Sequence, residues 1–159
     1  MELSDRLGLE TYWPWGVAIG DVNADGYEDL MVTSGMGYPF AAAINSMLLN
    51  TAGTGFRAAE FLVGLEPRRD GRVSKDCFTL ECDGADKAHP ACRGHSGRVQ
   101  VRSCLSSRSA LFLDLDDDGD LDLVTNEFDD VPQVLASDLA ARGPIHFLKV
   151  RLVGSTSNR

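Results

Sequence analysis

Residues 19–30 read IGDVNADGYEDL, and residues 112–123 read FLDLDDDGDLDL. The two stretches align without a gap, so that Asp21 corresponds to Asp114 and Asp29 corresponds to Asp122. Each stretch places an acidic loop between short apolar runs, and we call residues 21–29 loop one and residues 114–122 loop two. An internal repeat is a stronger guide to architecture than any single segment, because both copies must satisfy the same fold.

Both loops carry oxygen-bearing side chains at positions 1, 3, 5 and 9 and a glycine at position 6. Ca²⁺ takes about six to eight hard oxygen ligands, and position 7 of such loops commonly contributes its backbone carbonyl. Glycine at position 6 permits a sharp turn that a Cβ would hinder. The sequence therefore predicts two calcium sites, formed by Asp21, Asn23, Asp25, Tyr27 and Asp29 in loop one and by Asp114, Asp116, Asp118, Asp120 and Asp122 in loop two.

Other interpretations of the loops are weaker. An EF-hand requires a glutamate at position 12 and flanking helices, whereas position 12 is Val32 or Thr125 and the flanks are short apolar runs. A metal-free hairpin, in which aspartates cap the backbone, leaves the carboxylates of loop two to repel one another. Mg²⁺ prefers octahedral geometry and keeps its waters. Loop two offers four ligand carboxylates against three in loop one, so we expect loop two to bind calcium more tightly.

Short apolar runs bounded by glycine, asparagine or aspartate predict an all-β fold. We expect strands at 16–20, 30–33, 46–49, 56–62, 110–113, 121–125, 133–135 and 145–153, and a short helical turn at 137–142. One β-propeller blade contains four short antiparallel strands, so the chain holds material for about two blades and a loop-rich insertion. The predicted divisions are a first blade with a calcium loop (1–65), a polar cysteine-containing insertion (66–109), a second repeat with a calcium loop (110–143) and a C-terminal segment (144–159).

All four cysteines, Cys77, Cys82, Cys92 and Cys104, lie in the predicted insertion. They are compatible with two disulfides in any of three pairings, or with free thiols in a reducing compartment. The spacing of Cys82, His89, Cys92 and His95 matches no common zinc site. A catalytic pair of Cys92 and His95 is the enzyme alternative, but the sequence marks neither an oxyanion hole nor an orienting carboxylate. We therefore predict no catalytic residue.

The formal net charge of −9 argues against a nucleic-acid partner, whose phosphates would repel the protein. No stretch approaches the roughly 20 apolar residues that a transmembrane helix needs. The first residues show neither the basic nor the apolar region of a signal peptide. We expect no nucleic-acid partner, no membrane span and no signal peptide within this chain.

Residues 16–30 and 111–123 resemble the calcium-binding FG-GAP or VCBS repeats of integrin α-chain propellers and many bacterial extracellular proteins. Residues 146–159 (HFLKVRLVGSTSNR) resemble the opening of the ASPIC/UnbV domain, which follows such repeats, and residues 13–21 (WPWGVAIGD) resemble the repeats that precede it. The resemblance leaves the cysteine segment unmatched. It implies the same loop ligands, a parent propeller of about seven blades and an extracellular or periplasmic location. Because about two blades are present, it also implies a fragment.

The expected function is calcium-dependent scaffolding, adhesion or interaction with a protein or carbohydrate partner, rather than catalysis. The alternative is an orphaned fragment that keeps structural calcium without a partner. Two blades leave open sheet edges, so we expect self-association through those edges. Trp13, Trp15 and Tyr38 form either an exposed aromatic patch or, as we prefer, a group buried between blades.

Overall fold

The computed structural model describes residues 14–35, 44–66, 76–102, 107–127 and 131–154, together with Leu3. In this part of the chain the structure is almost entirely strand and turn, so the fold is all-β, as the sequence predicts. The elements are β1 (Pro14–Gly20), β2 (Asp29–Ser34), β3 (Ser46–Asn50), β4 (Phe56–Ala58), β5 (Asp76–Glu81), a 3-10 turn (Pro90–Cys92), β6 (Arg98–Arg102), β7 (Ser107–Leu113), β8 (Asp122–Glu127), β9 (Gln133–Leu135) and α1 (Leu139–Arg142).

The described strands form three antiparallel sheets. Sheet A has the order β1-β2-β3-β4, sheet B pairs β5 with β6, and sheet C has the order β7-β8-β9. Loop one is the turn of the β1–β2 hairpin, and loop two is the turn of the β7–β8 hairpin. The register confirms their equivalence, because Gly20 pairs with Asp29 and Leu113 pairs with Asp122. Sheet A therefore has the four-stranded antiparallel meander of one blade.

Sheets A and C pack face to face around the main core. Ala18, Met31 and Met47 of sheet A are buried in one cluster with Leu123 of sheet C, and Phe112 packs against that cluster. These positions alternate along their strands with outward-facing ones, as expected for side chains that point to opposite faces of a sheet. The contact between the two sheets places both acidic loops on one assembled unit.

A buried polar network also joins the two sheets. The side-chain amide of Asn45 donates to Ser107 Oγ at 2.7 Å, and its carbonyl oxygen accepts the backbone N–H of Ser34 at 3.0 Å. The Ser107 hydroxyl lies 2.8 Å from a carboxylate oxygen of Glu127, to which it donates. Satisfied polar groups inside a core hold neighbouring elements in one geometry, because any shift would leave a buried partner unpaired.

Residues 76–102, within the predicted insertion, contain sheet B and a small core of their own. Leu80, Cys82, Cys92 and Val101 are buried together. Cys82 and Cys92 form a disulfide with their Cα atoms 5.3 Å apart. The side chain of Cys77 and all of Cys104 lie outside the described residues. A disulfide within so small a unit compensates for its limited apolar core.

Three details differ from the sequence predictions. The expected strand at 145–153 is absent, and residues 144–154 run as irregular chain across the end of sheet C. The fourth strand is shorter than expected, because β4 ends at Ala58 and turns follow. Trp15 is 52% exposed rather than buried between blades, whereas Trp13 and Tyr38 lie outside the described residues. The apolar pattern of 145–153 predicted a strand, but none of the described strands pairs with this segment.

Among the described residues, no helix has the length and apolar character needed to cross a membrane.

The approach of β1 to β7 gives a stability prediction at Gly16. A Cβ at this position would lie 2.9 Å from the backbone oxygen of Arg108 and 3.2 Å from Thr33 Oγ1. Because the nearest atom is backbone, the strands must separate, and Gly16→Ala should destabilise the fold by about 1–3 kcal/mol. Chemical denaturation of the purified chain measures this change.

Gly143→Ala is the matched control. A Cβ there meets nothing within 4 Å, and the backbone is extended, with φ of −180°. We expect this variant to have the stability of the original chain or slightly more, because alanine has fewer unfolded conformations. Equal stability of the two variants would contradict the packing of β1 on β7.

Candidate metal centre

Loop two brings three carboxylates together. One carboxylate oxygen from each of Asp114, Asp116 and Asp118 lies within 4.8 Å of the others. Asp114 is half-buried, whereas Asp116 and Asp118 are exposed. Oxygens that share one Ca²⁺ each lie about 2.3–2.6 Å from the ion, so two ligands on opposite sides are separated by about twice that distance. The three carboxylates are thus already spaced for a common cation.

The two loops have the same backbone conformation. Position 4 is left-handed in both, with φ of 56° at Ala24 and 71° at Asp117. Position 6 is also left-handed, with φ of 90° at Gly26 and 96° at Gly119. Glycine adopts this conformation at little cost. The repeat seen in the sequence is therefore also a repeat of local structure, although the loops differ in side chains and charge.

Opposing effects of a hydrogen bond, desolvation and neighbouring negative charges shift the pKa of Asp118. The backbone N–H of Asp120 donates to its carboxylate at 3.0 Å and lowers its pKa, but partial burial and the charges of Asp116, Asp120 and Asp114 together raise the pKa of Asp118 above its ordinary value. Like charges within a few ångströms disfavour the ionised form. A divalent cation among these groups would relieve the repulsion.

Two buried oxygens of loop two have no hydrogen-bond donor, Oδ1 of Asp114 and Oδ1 of Asp120. A buried polar atom left without a partner costs about 1–3 kcal/mol. The side chain of Asp120 is buried, and its other oxygen accepts the backbone N–H of Ala140 at 2.8 Å, at the start of α1. The donor set consists of hard oxygens with unsatisfied acceptors, which fits a calcium ion.

The buried Asp120 carboxylate was not predicted. The sequence assigned only its backbone carbonyl to the site, because position 7 of such loops commonly contributes that group. The contact with α1 joins Asp120 to Ala140, 20 residues further along the chain, and sequence spacing gives no signal for it.

Position 9 of loop two has a structural role of its own. Asp122 is buried, and its two carboxylate oxygens each accept one backbone N–H at 2.8 Å, from Leu115 and from Ser137. The first bond closes the loop, and the second joins it to the chain that follows β9. Each oxygen keeps a second lone pair, so its predicted role as a metal ligand stays a prediction.

Loop one repeats this arrangement at Asp29. Its carboxylate accepts the backbone N–H of Asn50 at 2.7 Å and that of Val22 at 3.1 Å. Burial raises the pKa of Asp29, the two backbone hydrogen bonds lower it, and the charges of Asp25 and Asp21 add to the rise, so that the pKa lies above its ordinary value. Position 9 therefore anchors both hairpins in the same way.

The rest of loop one closes upon itself. The carboxylate of Asp21 accepts the backbone N–H groups of Asp25 and Gly26, at 3.0 and 2.8 Å. The side-chain amide of Asn23 donates to Asp25 at 2.9 Å. This is the geometry of an aspartate-capped turn. Loop one has one carboxylate fewer than loop two among positions 1, 3 and 5, and its oxygens are already occupied by internal donors.

The irregular C-terminal chain crosses loop two. The Lys149 ammonium contacts the carboxylate of Asp117 and lies 3.8 Å from Asp114 Oδ2. The ring of Phe147 lies against Gly119, so closely that a Cβ at that glycine would overlap it. A lysine of this chain thus supplies positive charge at the edge of the carboxylate group.

Cys82 and Cys92 take part in neither of the two sites that the sequence raised for the cysteine segment, a zinc site and a nucleophile pair. Cys82 and Cys92 are bonded to each other, so neither sulfur is a thiolate ligand or a nucleophile. His89 instead accepts the backbone N–H of Ala91 at 3.2 Å through Nδ1, and its ring packs edge-on against Phe61 with centroids 4.7 Å apart. The hypotheses of a Cys/His zinc site and of a Cys92–His95 catalytic pair are therefore wrong for this disulfide-bonded form.

A comparison with known protein families gives a match that includes the first hairpin. Residues 13–55 match the FG-GAP repeat. The matched segment contains β1, loop one, β2 and β3, and repeats of this family fit β-propeller blades, in agreement with the antiparallel meander of sheet A. Searches of curated proteins and of solved structures gave no significant match.

Asp118 provides a test of the repulsion between the carboxylates of loop two. A carboxyl whose pKa is raised by folding makes the folded state less stable as pH rises through its titration range. Asp118→Asn should therefore keep or raise the melting temperature in chelator at neutral pH, while it weakens calcium binding by at least about tenfold through loss of a charged ligand. Thermal denaturation with and without calcium checks both effects.

Asp83→Asn is the matched control, because Asp83 is exposed, lies outside both loops and accepts the backbone N–H of Gly97 through an oxygen that asparagine retains. It should leave the response to calcium unchanged. A lower melting temperature of Asp118→Asn in chelator would show that the carboxylates of loop two are not under repulsion.

A second test concerns Lys149 as a competitor for the carboxylates. Removal of the ammonium in Lys149→Met should raise the affinity of loop two for calcium by roughly 1.4- to fivefold, the range that a partly exposed ion pair of about 0.2–1 kcal/mol allows. Lys87→Met, at an exposed position of the cysteine segment, is the control for net charge. Calorimetric titration measures the calcium affinity of the original chain and of both variants. If Lys149→Met binds calcium no more tightly than the original chain, Lys149 does not compete for the carboxylates.

Proposed function

We propose that this chain is a non-catalytic module of β-propeller repeats in which bound calcium braces the hairpin loops, and that it serves in scaffolding, adhesion or recognition of a protein or carbohydrate. The observation that carries the proposal is the group of three loop-two carboxylates within 4.8 Å of one another, beside two buried acceptor oxygens that have no donor. The FG-GAP match supports it, because repeats of this family often bind calcium.

Calcium suits these donors better than other metals. Every donor is a carboxylate, amide or carbonyl oxygen, which is the preference of a hard cation, and no histidine or thiolate takes part. The loops are short and exposed on one side, so their oxygens can adjust to the irregular coordination that calcium tolerates. Magnesium requires closer octahedral geometry and remains the weaker candidate.

The ion's proposed role is structural. In loop two, Asp114, Asp116 and Asp118 would hold it, with Asp120 and Asp122 at the edge of the same loop. Because Asp120 also binds α1 and Asp122 also binds the chain after β9, an ion here would fix the hairpin and the elements that follow. Binding energy then becomes folding energy.

The disulfide and the FG-GAP match favour an extracellular or periplasmic location. The Cys82–Cys92 disulfide is typical of an oxidising compartment, and proteins with FG-GAP repeats are typically extracellular. We further propose that residues 144–154 belong to the opening of an ASPIC/UnbV-type segment, which their sequence resembles.

A surface for a partner lies beside the first repeat. Trp15 is half-exposed, and the guanidinium of Arg108 lies 4.3 Å from its ring centroid. The indole N–H donates to the backbone oxygen of Gly35, which also accepts from Arg108 at 3.2 Å. An aromatic ring held rigidly in this way offers a stacking surface for a sugar or an apolar side chain.

Calcium titration tests the proposed function directly. In the intact chain we expect two binding events by calorimetry and a higher melting temperature with calcium than with chelator, with about 2.7 kcal/mol of stabilisation when free calcium is about 100 times the dissociation constant. Asp114→Asn should remove the tighter event and Asp21→Asn the weaker one.

Each variant serves as the control for the other, because the two substitutions are chemically identical and occupy the same loop position. The proposed ranking is wrong if Asp21→Asn removes the tighter event. The proposed calcium function itself is wrong if neither calorimetry nor the melting temperature responds to calcium in the intact chain.

A further inference from the structure

The contact between sheets A and C uses two different faces. We name the face of sheet A that carries Ala18, Met31 and Met47 face a, and the face of sheet C that carries Phe112 and Leu123 face b. Within the chain, face a of sheet A is packed on face b of sheet C. Because the hairpins of the two sheets are equivalent, each sheet has both a face a and a face b.

The alignment of the repeats identifies face a of sheet C. Ala18 corresponds to Leu111 and Met31 corresponds to Val124. Leu111 pairs across the strands with Val124, which pairs in turn with Val134. These three residues form one apolar row on the side of sheet C that points away from sheet A.

Face b of sheet A follows from the same alignment. Ile19 occupies the position of Phe112, and Leu30, its cross-strand neighbour, occupies the position of Leu123. Val17 lies on the same face, two residues before Ile19. The side of sheet A that points away from sheet C therefore carries the counterparts of the residues that form the internal contact.

Both outer faces carry exposed apolar residues, on β1 of sheet A and on β7 and β9 of sheet C, whereas Leu48, which pairs with Leu30 on β3, is buried. Val17 is 57% and Ile19 is 56% exposed on sheet A, and Leu111 is 57% and Val134 is 62% exposed on sheet C. An antiparallel sheet with one solvated face usually alternates apolar and polar residues. Here both faces of both sheets carry apolar rows, which is the pattern of sheets that are covered on both sides.

We propose that a second copy of this chain docks face to face, with face a of its sheet C on face b of the first copy's sheet A. This contact repeats between molecules the contact that already joins the two sheets within one molecule. It is a heterologous, head-to-tail interface, in which each copy uses two different surfaces. The association does not depend on calcium in either loop.

The intermolecular contact differs from the internal one in its spacing. Gly16 and Gly20 allow β1 to approach β7 closely, because a Cβ at either would meet an atom at 2.9 Å. Their counterparts on sheet C are Ser109 and Leu113. The larger side chains hold the second copy further away, so the association is weaker than the internal contact and depends on protein concentration.

Paired variants on the full chain test this geometry. One variant combines Val17→Thr with Ile19→Thr and disables face b of sheet A, and the other combines Leu111→Thr with Val134→Thr and disables face a of sheet C. Threonine keeps the β-branched shape that strands favour, and all four positions are more than half exposed. Sedimentation velocity over a concentration series measures the mass.

The intact chain should form dimers and larger species as concentration rises, and each variant alone should stay monomeric. An equimolar mixture of the two variants should form a dimer and nothing larger, because one intact face a meets one intact face b. A strictly monomeric original chain overturns the proposal. Two further results also overturn it. If only one of the variants loses association, the contact is symmetric, and if neither variant loses it, the copies pair through their sheet edges.

A salt series on the original chain needs no variant. Copies with a net charge of −9 repel one another, and added salt screens that repulsion. An apolar contact should therefore strengthen as sodium chloride is raised, both with calcium and with chelator. Dissociation by salt would show that the contact is made by charges and would overturn the proposal.

Discussion

A buried aspartate at the end of each acidic loop is the constraint on which the two repeats depend. Asp29 and Asp122 each accept two backbone N–H groups, one from their own loop and one from the end of the third strand of the sheet (Asn50) or from the chain just after it (Ser137). At Asp29, burial raises the pKa of the carboxyl while the two backbone hydrogen bonds lower it. Because the two bonds reach in different directions, they fix the turn of the hairpin and the end of the sheet at once.

The same backbone supports two loops with different electrostatics. Loop one satisfies its few carboxylates with its own amide groups, whereas loop two has more negative charge than its hydrogen bonds can balance. The Lys149 ammonium, in the C-terminal chain, neutralises part of this negative charge. The two loops would therefore differ in affinity for the proposed cation. An ion in loop two would relieve more repulsion between carboxylates, and it would have to displace Lys149 there, whereas in loop one it would have to displace the internal hydrogen-bond donors.

Much of the fold and the core of the candidate site could be predicted from the sequence. The hairpins, their loops and the equivalence of Asp29 with Asp122 follow from a repeated pattern of short apolar runs and spaced oxygens, which are local features. The carboxylate of Asp120 and the ammonium of Lys149 could not be assigned in this way, because their roles come from α1 and from the irregular chain after it. The expected strand at 145–153 fails for a related reason: β-propensity describes a fit to a neighbouring strand, and none of the described strands pairs with this segment.

Residues close together along the chain were enough to predict that the fold is all-β, that it contains two like hairpins and that oxygen-bearing side chains are concentrated at the turns of those hairpins. The packing of the sheets was needed to show which face of each sheet is covered, which carboxylate oxygens lack a donor and which cysteines are joined in the described part of the chain. Those outcomes depend on contacts between residues far apart in sequence, such as those of β1 with β7. The alternation of side chains along a strand does not show which of the two faces of a sheet is covered.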